Sequence, residues 1–421
     1  MKFERYDSYK DSEIGLLGQV PNSWEITTIK NIFRYFGSGS TPQSNNMHYY
    51  ENGTINWLNT SDLKNFLIEN TKFKITNLAL QEVGLKMYPI NTIAVAMYGQ
   101  GETRGTPALL KVPTTTNQAS CMMYKSFIAD ERYMLWWFIS KKEALRAINV
   151  GATQPNMNSD FIKNLFVSLP KKETQGSIAN YLDTKTQKID KEISIFEQKI
   201  EKYKELKQTL IAETVLRGLD KNVELKNSEI EWIGDIPKHW EIKRLKDFIK
   251  FTIGGEVIDV SYWNDGTELT YTAGKNPVLS IFNNFPDRKR TRINDILIAR
   301  NGDGFIHIPK LNSIFTNVVQ LVRLSKKVDV KFIFYSLENI KYQINKTSNG
   351  DFIASLNKEM WFNSFIVTPE YKEQVEISEY LEEKTSKIDS IVEAINDKIE
   401  VLKEFRKTLI NDVVTGKVKV A

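Results

Sequence analysis

The chain is poor in the residues that most often carry chemistry. It has one cysteine, Cys121, so no internal disulfide can form. Its three histidines, His48, His239 and His307, are too scattered to give zinc-ligand spacing, and no structural metal is expected. No run approaches the roughly 18 apolar residues of a membrane span. Met1 to Lys10 is polar and charged where a signal peptide would be apolar, so a cytoplasmic protein is expected. A large charge imbalance is also missing. With 57 basic against 52 acidic residues, net +5 and a pI near 8.8, the balance allows DNA binding but falls short of a strongly basic footprint.

Catalytic signatures are lacking as well. There is no GxxxxGK[ST] phosphate loop, so ATP-driven translocation is not carried here. FGSGS at Phe36 resembles the glycine loop of methyltransferases, yet the Asn-Pro-Pro-aromatic tetrapeptide that would hold a flipped base occurs nowhere. Gly99 with Gly101, and Gly302 with Gly304, lack the third glycine of a dinucleotide fingerprint. Acidic residues followed by X-Lys occur, as in any lysine-rich chain, and none sits in a nuclease constellation. A chain without catalysis of its own is expected.

What is present is a repeat. At 421 residues, 41% hydrophobic and 26% charged, the chain can build two or three cores, and its internal pattern decides their arrangement. EIGLLGQVPNSWEITTIK from Glu13 returns as EIEWIGDIPKHWEIKRLK from Glu229, at a constant offset of 216 (Pro21 against Pro237). Leu16 and Leu17 stand where Trp232 and Ile233 stand in the second copy. A second match, at offset 199, sets Pro170 and QGSIANYLDTKTQKID from Gln175 against Pro369 and QVEISEYLEEKTSKID from Gln374. Between these blocks the halves diverge, with faint echoes such as TIAVAMYGQG from Thr92 and DILIARNGDG from Asp295. Conserved blocks around divergent middles are expected if the blocks assemble something common and the middles read two different things.

The second block is helical. Leu182, Ile189, Ile193, Phe196, Ile200, Tyr203 and Leu210 step mostly by seven, four and three, and Leu381, Ile388, Val392, Ile395, Ile399, Leu402 and Leu409 repeat the series. These are coiled-coil seams. The blocks from Gln175 to Arg217 and Gln374 to Thr415 lack internal proline, and Gly218 and Gly416 stand where a helix would stop. About 40 helical residues span roughly 60 Å. An isolated seam reads as a bundle or a dimerising stalk. Here each helix follows its own globular half, and the simplest packing is an intramolecular pseudo-two-fold with the helices antiparallel.

The expected fold is therefore mixed α/β (α+β), with two similar globular domains separated by two long helices that form an antiparallel coiled coil. The boundaries read as 1–170 for the first domain, 171–217 for the first helix, 218–228 for a linker, 229–369 for the second domain, and 370–421 for the second helix and tail. The first half mixes strand-like runs, Thr92 to Tyr98 and Leu165 to Leu169, with polar loops. A helix-like stretch from Arg132 to Asn149 carries Trp136, Trp137, Phe138, Ile139 and Leu145; these, with Trp24 and Trp240, read as core and not as base-stacking residues.

The loops supply candidate DNA contacts. GSGSTPQSNN from Gly37, YGQGETRG from Tyr98 and GATQPNMNSD from Gly151 offer Ser38, Ser40, Thr41, Gln43, Gln100, Arg104, Gln154, Asn156 and Asn158. Amides pair with adenine edges and guanidinium with guanine, although each loop read alone is an ordinary solvated turn. In the second half, ARNGDG from Ala299 and SNGDFIASLN from Ser348 offer Arg300, Asn301, Asn349 and Asn357. The run DRKRTR brings Arg288, Lys289, Arg290 and Arg292, the densest positive cluster in the chain, a solvated face or a set of phosphate contacts.

The first block, IGxxPxxW, occurs in variant form from Leu17 to Trp24 and again from Ile233 to Trp240. The second, IxxYLxxKTxKID, occurs at Ile178 and Ile377. With the order domain, helix, domain, helix and the TGKV end at Thr415 to Val418, the chain resembles, over nearly its whole length, the specificity subunit of type I restriction-modification enzymes. The resemblance implies two target-recognition domains that each read one half of a split target in double-stranded DNA, with the helix pair fixing the unread spacer. It also implies docking of two methyltransferase subunits, which carry S-adenosylmethionine, and of motor-nuclease subunits with ATP and Mg. No cofactor is expected on this chain. Individual DNA contacts do not carry over, because recognition domains differ wherever their targets differ. The competing readings are a stand-alone architectural DNA-binding protein that homodimerises through its helices, a fused restriction-enzyme fragment, and a coiled-coil scaffold that binds no nucleic acid.

Overall fold

The computed structural model describes residues 4–99, 103–147, 157–300, 304–347 and 358–420. The chain divides into two compact units, Met1–Ile195 with Lys398–Ala421, and Phe196–Asp397. Each unit holds one globular half and a portion of both long helices, Lys172–Arg217 and Tyr371–Val414.

The first unit is built on a five-stranded sheet in the order Phe33–Gly37, Ser120–Ser126, Ile93–Ala96, Pro107–Leu110, Leu67–Ile68, antiparallel except for the last pair. The runs IAVA and PALL are wholly buried, as expected for strands covered on both faces. Alternation along them divides the interior in two. Ile93, Val95, Leu109, Cys121 and Met123 join a core with the helix Glu131–Ala147, whereas Ala94, Ala96, Ala108, Leu110 and Met122 join Leu58, Leu63 and Tyr88. Trp136, Trp137, Phe138, Leu145 and Trp24 are buried. A three-stranded sheet, Thr115–Thr116 parallel to Ile55–Leu58 and this antiparallel to Phe73–Ile75, completes the half.

The second unit follows the same plan with different residues. Its main sheet runs Ile249–Gly254, Val319–Leu324, Asp295–Ala299, Ile306–His307, all antiparallel. Its small sheet again joins a parallel pair, Trp263–Tyr271 with Ile314–Phe315, to an antiparallel one with Val278–Ser280. Ile296, Ile298, Val322 and Leu324 face one core and Leu297 and Leu321 the other. Trp240 is buried like Trp24, and Leu17 and Ile233 are both buried, so the exchange of Leu for Ile leaves the position's packing role unchanged.

Within each unit the long helices pair antiparallel. In the first, Leu182 and Ile189 share a core with Leu409, Ile410 and Val413. Arg406 bonds Asp190 at 2.8 Å while Lys398 lies 4.0 Å from Glu192, so numbering falls on one helix as it rises on the other. In the second, Ile211 and Val215 share a core with Ile377 and Leu381, and Lys207 bonds Asp389 at 2.6 Å. Such exposed ion pairs contribute at most about 1 kcal/mol each, so the apolar seam does the holding. Ile200, Ile388 and Ile399 are buried, and Ile193, Phe196, Leu210, Val392 and Ile395 are half-buried.

Each helix ends on a glycine in left-handed geometry, Gly218 at φ 75° and Gly416 at φ 74°. Gly218 packs on Trp240; Gly416 packs on Trp24 and Pro21. The block that opens the sequence thus closes the end of the helix that finishes it. Tyr9 donates its hydroxyl to the Gly416 carbonyl at 2.9 Å, and the Lys419 amide donates to Glu4 at 2.8 Å. Lys10 Nζ bonds the Trp24 carbonyl at 2.9 Å and, 216 positions on, Lys226 Nζ bonds that of Trp240 at 2.6 Å.

The repeated glutamines clamp each helix to its domain. Gln175 donates to the Pro170 carbonyl at 2.9 Å and accepts from the Asp130 amide at 2.8 Å; Gln374 donates to Pro369 and accepts from the Asp329 amide, both at 2.9 Å. Both side chains are buried, where an unpaired amide would be costly.

Candidate nucleic-acid interface

In each unit the loops leaving one end of the main sheet and the small sheet converge. In the first, the strand Phe33–Gly37 runs into the glycine loop, and Gly39 donates its amide to the Asn117 carbonyl at 3.1 Å. A β-carbon at Gly39 would lie 1.5 Å from the Thr116 carbonyl oxygen, so the glycine is required by a close approach of two backbones. That accounts for the FGSGS sequence without any methyl-donor loop. Thr116 Oγ1 bonds the Leu58 carbonyl at 3.1 Å, Asn117 Nδ2 bonds Asn59 Oδ1 at 2.9 Å, and Thr41 Oγ1 bonds Gln118 Oε1 at 2.8 Å. The Asn59 amide in turn bonds Asp62 at 2.9 Å. Three loops far apart in sequence are thereby locked into one polar surface.

The same joint recurs in the second unit. A β-carbon at Gly255 would meet the Thr316 carbonyl oxygen at 2.3 Å, and the Asn317 amide bonds the Glu256 carbonyl at 2.7 Å. Gly39 and Gly255 differ by 216 positions, and Thr116-Asn117 and Thr316-Asn317 by 200. Arg300 donates its guanidinium to the Asn317 carbonyl and its amide to Val318 at 2.9 Å, bringing it to the same joint.

Each expected contact residue has a definite place. Ser38, Ser40, Thr41 and Gln43 are exposed on the glycine loop, with the Ser38 carbonyl accepting from Tyr88 and that of Ser40 from Trp57. Arg104 donates to the Arg146 carbonyl at 2.7 Å, near the end of the helix Glu131–Ala147. Asn158 caps the helix Ser159–Lys163 by accepting from the Phe161 amide at 2.7 Å. Gln100, Gln154, Asn156, Asn301, Asn349 and Asn357 lie outside the described residues.

The basic run of the second unit divides into two pairs. Lys289 bonds Glu256 at 2.5 Å and Arg290 bonds Glu268 at 2.7 Å, both largely neutralised within the unit. Arg288 and Arg292 are exposed and form no ion pair among the described residues. Lys289 also bonds the Gly254 carbonyl, which sets the run beside the Gly255 joint. His307 is tilted against Tyr271 with 5.2 Å between centroids, and burial lowers its pKa from the ordinary imidazole value. Among the described residues no group of His, Cys, Asp and Glu is placed to hold a metal ion, and no helix is long and apolar enough to cross a membrane.

Asn59, Asn117, Gln118 and Asn317 are not evident as loop candidates from composition. For Asn117, Gln118 beside it and Asn317 the signal is the Thr-Asn dipeptide recurring at an offset of 200, between the 216 and 199 of the conserved blocks; Asn59 carries no such signal.

Residues 21–202 and 237–401 match the family model of the type I restriction modification DNA specificity domain. The chain is 28% identical over 295 residues to the type I restriction enzyme MjaIX specificity subunit of Methanocaldococcus jannaschii, covering 67% of this chain and 63% of that relative. It is 24% identical over 443 residues to the MjaVIII specificity subunit of the same organism, covering 100% of this chain and 98% of the relative. The EcoR124I/EcoR124II specificity subunit of Escherichia coli is 26% identical over 243 residues, 56% of this chain and 52% of that one. Among solved structures, a chain from work on complex assembly and conformational transition of the type I R-M system shares the fold at a TM-score of 0.71 and 14% identity, covering 94% of this chain and 98% of that one. The HsdS subunit from Thermoanaerobacter tengcongensis does so at 0.52 and 16% identity, covering 95% and 98%. With the same joint built twice inside the two matched regions, the chain belongs to the type I restriction modification DNA specificity domain family.

Proposed function

We propose that this chain is the non-catalytic, sequence-reading subunit of a type I restriction-modification assembly, each half recognising one part of a split DNA target. The observation that carries the reading is the doubled joint: a glycine loop seated on a Thr-Asn turn, with exposed amides and hydroxyls on rigid strand ends. Divergent side chains on a common scaffold suit two different half-sites. The long helices set the spacer between the halves, and the repeated blocks around them seat two methyltransferase subunits. S-adenosylmethionine, ATP and Mg belong to those and to motor-nuclease partners, and the assembly works in the cytoplasm.

Homodimerisation through the helices is the poorer reading, because the seam residues Leu182, Ile189, Leu381 and Leu409 are already buried within one chain. The test is to co-express the chain with a methyltransferase subunit of its own system, purify on a tag carried by this chain, and map adenine methylation on the host DNA. A single split motif with a fixed gap is expected. A stable complex that methylates an unbroken motif, or none, overturns the proposal.

A further inference from the structure

The first unit carries a cationic aromatic cluster that the recognition loops do not account for. Tyr35 and Tyr124 lie directly opposite on neighbouring antiparallel strands and stack at 5.1 Å between centroids. Three cations surround them. Arg34 Cζ is 5.6 Å and Lys125 Nζ 5.8 Å from the Tyr35 ring, and Lys86 Nζ is 5.1 Å from the Tyr124 ring. All three are exposed, and none forms an ion pair among the described residues.

The arrangement is unfavourable within the unit. The ladder pairs Tyr35 with Tyr124 and Phe33 with Ser126 and leaves Arg34 and Lys125 unpaired between them, so both cations sit in the same break of the sheet, where like charges repel. Lys125 also holds φ 64°, a left-handed geometry that a residue with a side chain adopts at a cost. The corresponding strands of the second unit solve the problem differently. There Arg323, its guanidinium 4.6 Å from the Phe251 ring, is buried and bonded to Asp295 at 2.6 Å. Among the described residues of the first unit no carboxylate pairs with Arg34, Lys86 or Lys125, which leaves the cluster open to an anion from outside.

We propose that Arg34, Lys86 and Lys125 form a phosphate track that receives the DNA backbone next to the recognition loops of the first unit. The proposal rests on the DNA-reading function proposed above and adds an asymmetry between the halves. The track is continuous with the loops: Tyr88, whose ring lies 5.7 Å from Lys86 Nζ, donates its hydroxyl to the Ser38 carbonyl at 2.7 Å. That continuity favours nucleic acid over an acidic protein surface. Phosphate contacts of this kind add affinity without sequence choice.

The experiment uses the full chain co-purified with its methyltransferase, a labelled duplex bearing the mapped motif, and the triple variant Arg34→Gln, Lys86→Gln, Lys125→Gly. Glycine at 125 relieves the backbone cost, so the variant folds at least as well there. The slope of log affinity against log salt should become shallower by about two to three, with the methylated motif unchanged. A slope within about half a unit of the parent overturns the proposal. Loss of the methyltransferase from the purified complex at an unchanged slope assigns the patch to protein docking instead. A parent complex whose binding does not depend on salt or sequence fails the DNA-reading function, and the track with it.

Discussion

Closing the second long helix with the block that opens the sequence makes Gly416 a sensitive position. Replacing it by alanine forces a side chain into φ 74°, which costs about 1 kcal/mol. The new β-carbon would also lie 2.5 Å from Cγ and 2.6 Å from Cδ of Pro21 and 3.1 Å from Trp24. A proline ring cannot yield as a flexible side chain does, so overpacking adds about 1–3 kcal/mol. The total for Gly416→Ala is then about 2–4 kcal/mol. Gly218→Ala meets Trp240 at 3.0 Å and Glu373 at 3.3 Å, and a shift of a few tenths of an ångström limits its cost to about 1–2 kcal/mol. Gly18 provides the control. It holds φ 64° with nothing within 4 Å, so Gly18→Ala reports the backbone cost alone. Urea unfolding of the three variants, with hydrogen exchange to assign the loss to one unit, measures the order Gly416 > Gly218 > Gly18. Equal costs for Gly416→Ala and Gly18→Ala would refute the contact between the opening block and the second helix.

Arg323→Met leaves the Asp295 carboxylate, fully buried at 0% exposure, without its partner; a loss of about 3–5 kcal/mol is expected in urea melts, and adding Asp295→Leu should restore most of it. Burial pushes the Lys141 ammonium down to about 8, with repulsion from Lys417 adding to the effect. The unfolded chain therefore holds more protons between pH 8 and about 10.4, and stability rises with pH across that window. Below pH 8 the penalty is fully present, so Lys141→Met should stabilise the protein at pH 7 by on the order of 3 kcal/mol and flatten that rise, read by melts at several pH values. Deleting one heptad from each long helix, 193–199 and 392–398, shortens the pair by about 10 Å and should narrow the gap in the methylated motif by up to about three base pairs. An unchanged gap would remove the spacer role from the helices.

The repeat, the seams and the helix-stopping glycines were legible because each is a local pattern: a period of seven, a block without proline, a glycine at its end. The buried tryptophans were legible for the same reason, since Trp24 and Trp240 recur at fixed spacing. The recognition surface was not, because it depends on chain reversals that bring the glycine loop, the turn after Leu58 and the Thr-Asn turn together. Asn158 and Arg104 show the limit of reading polar loops by composition: in the fold one caps a helix and the other bonds a helix carbonyl. The charge run at Arg288 likewise divides only in three dimensions, when Glu256 and Glu268 arrive from elsewhere in the chain.

The central claim is that each half reads its own part of the target through the doubled joint. The most direct measurement compares the methylation motif of the parent complex with those of Gln118→Ala and Asn317→Ala, both exposed side chains at the two joints. Loss of a base contact worth about 1–3 kcal/mol should relax one position in one half of the motif for the first variant and one position in the other half for the second. Both variants relaxing the same half, or neither changing the motif, would contradict the account.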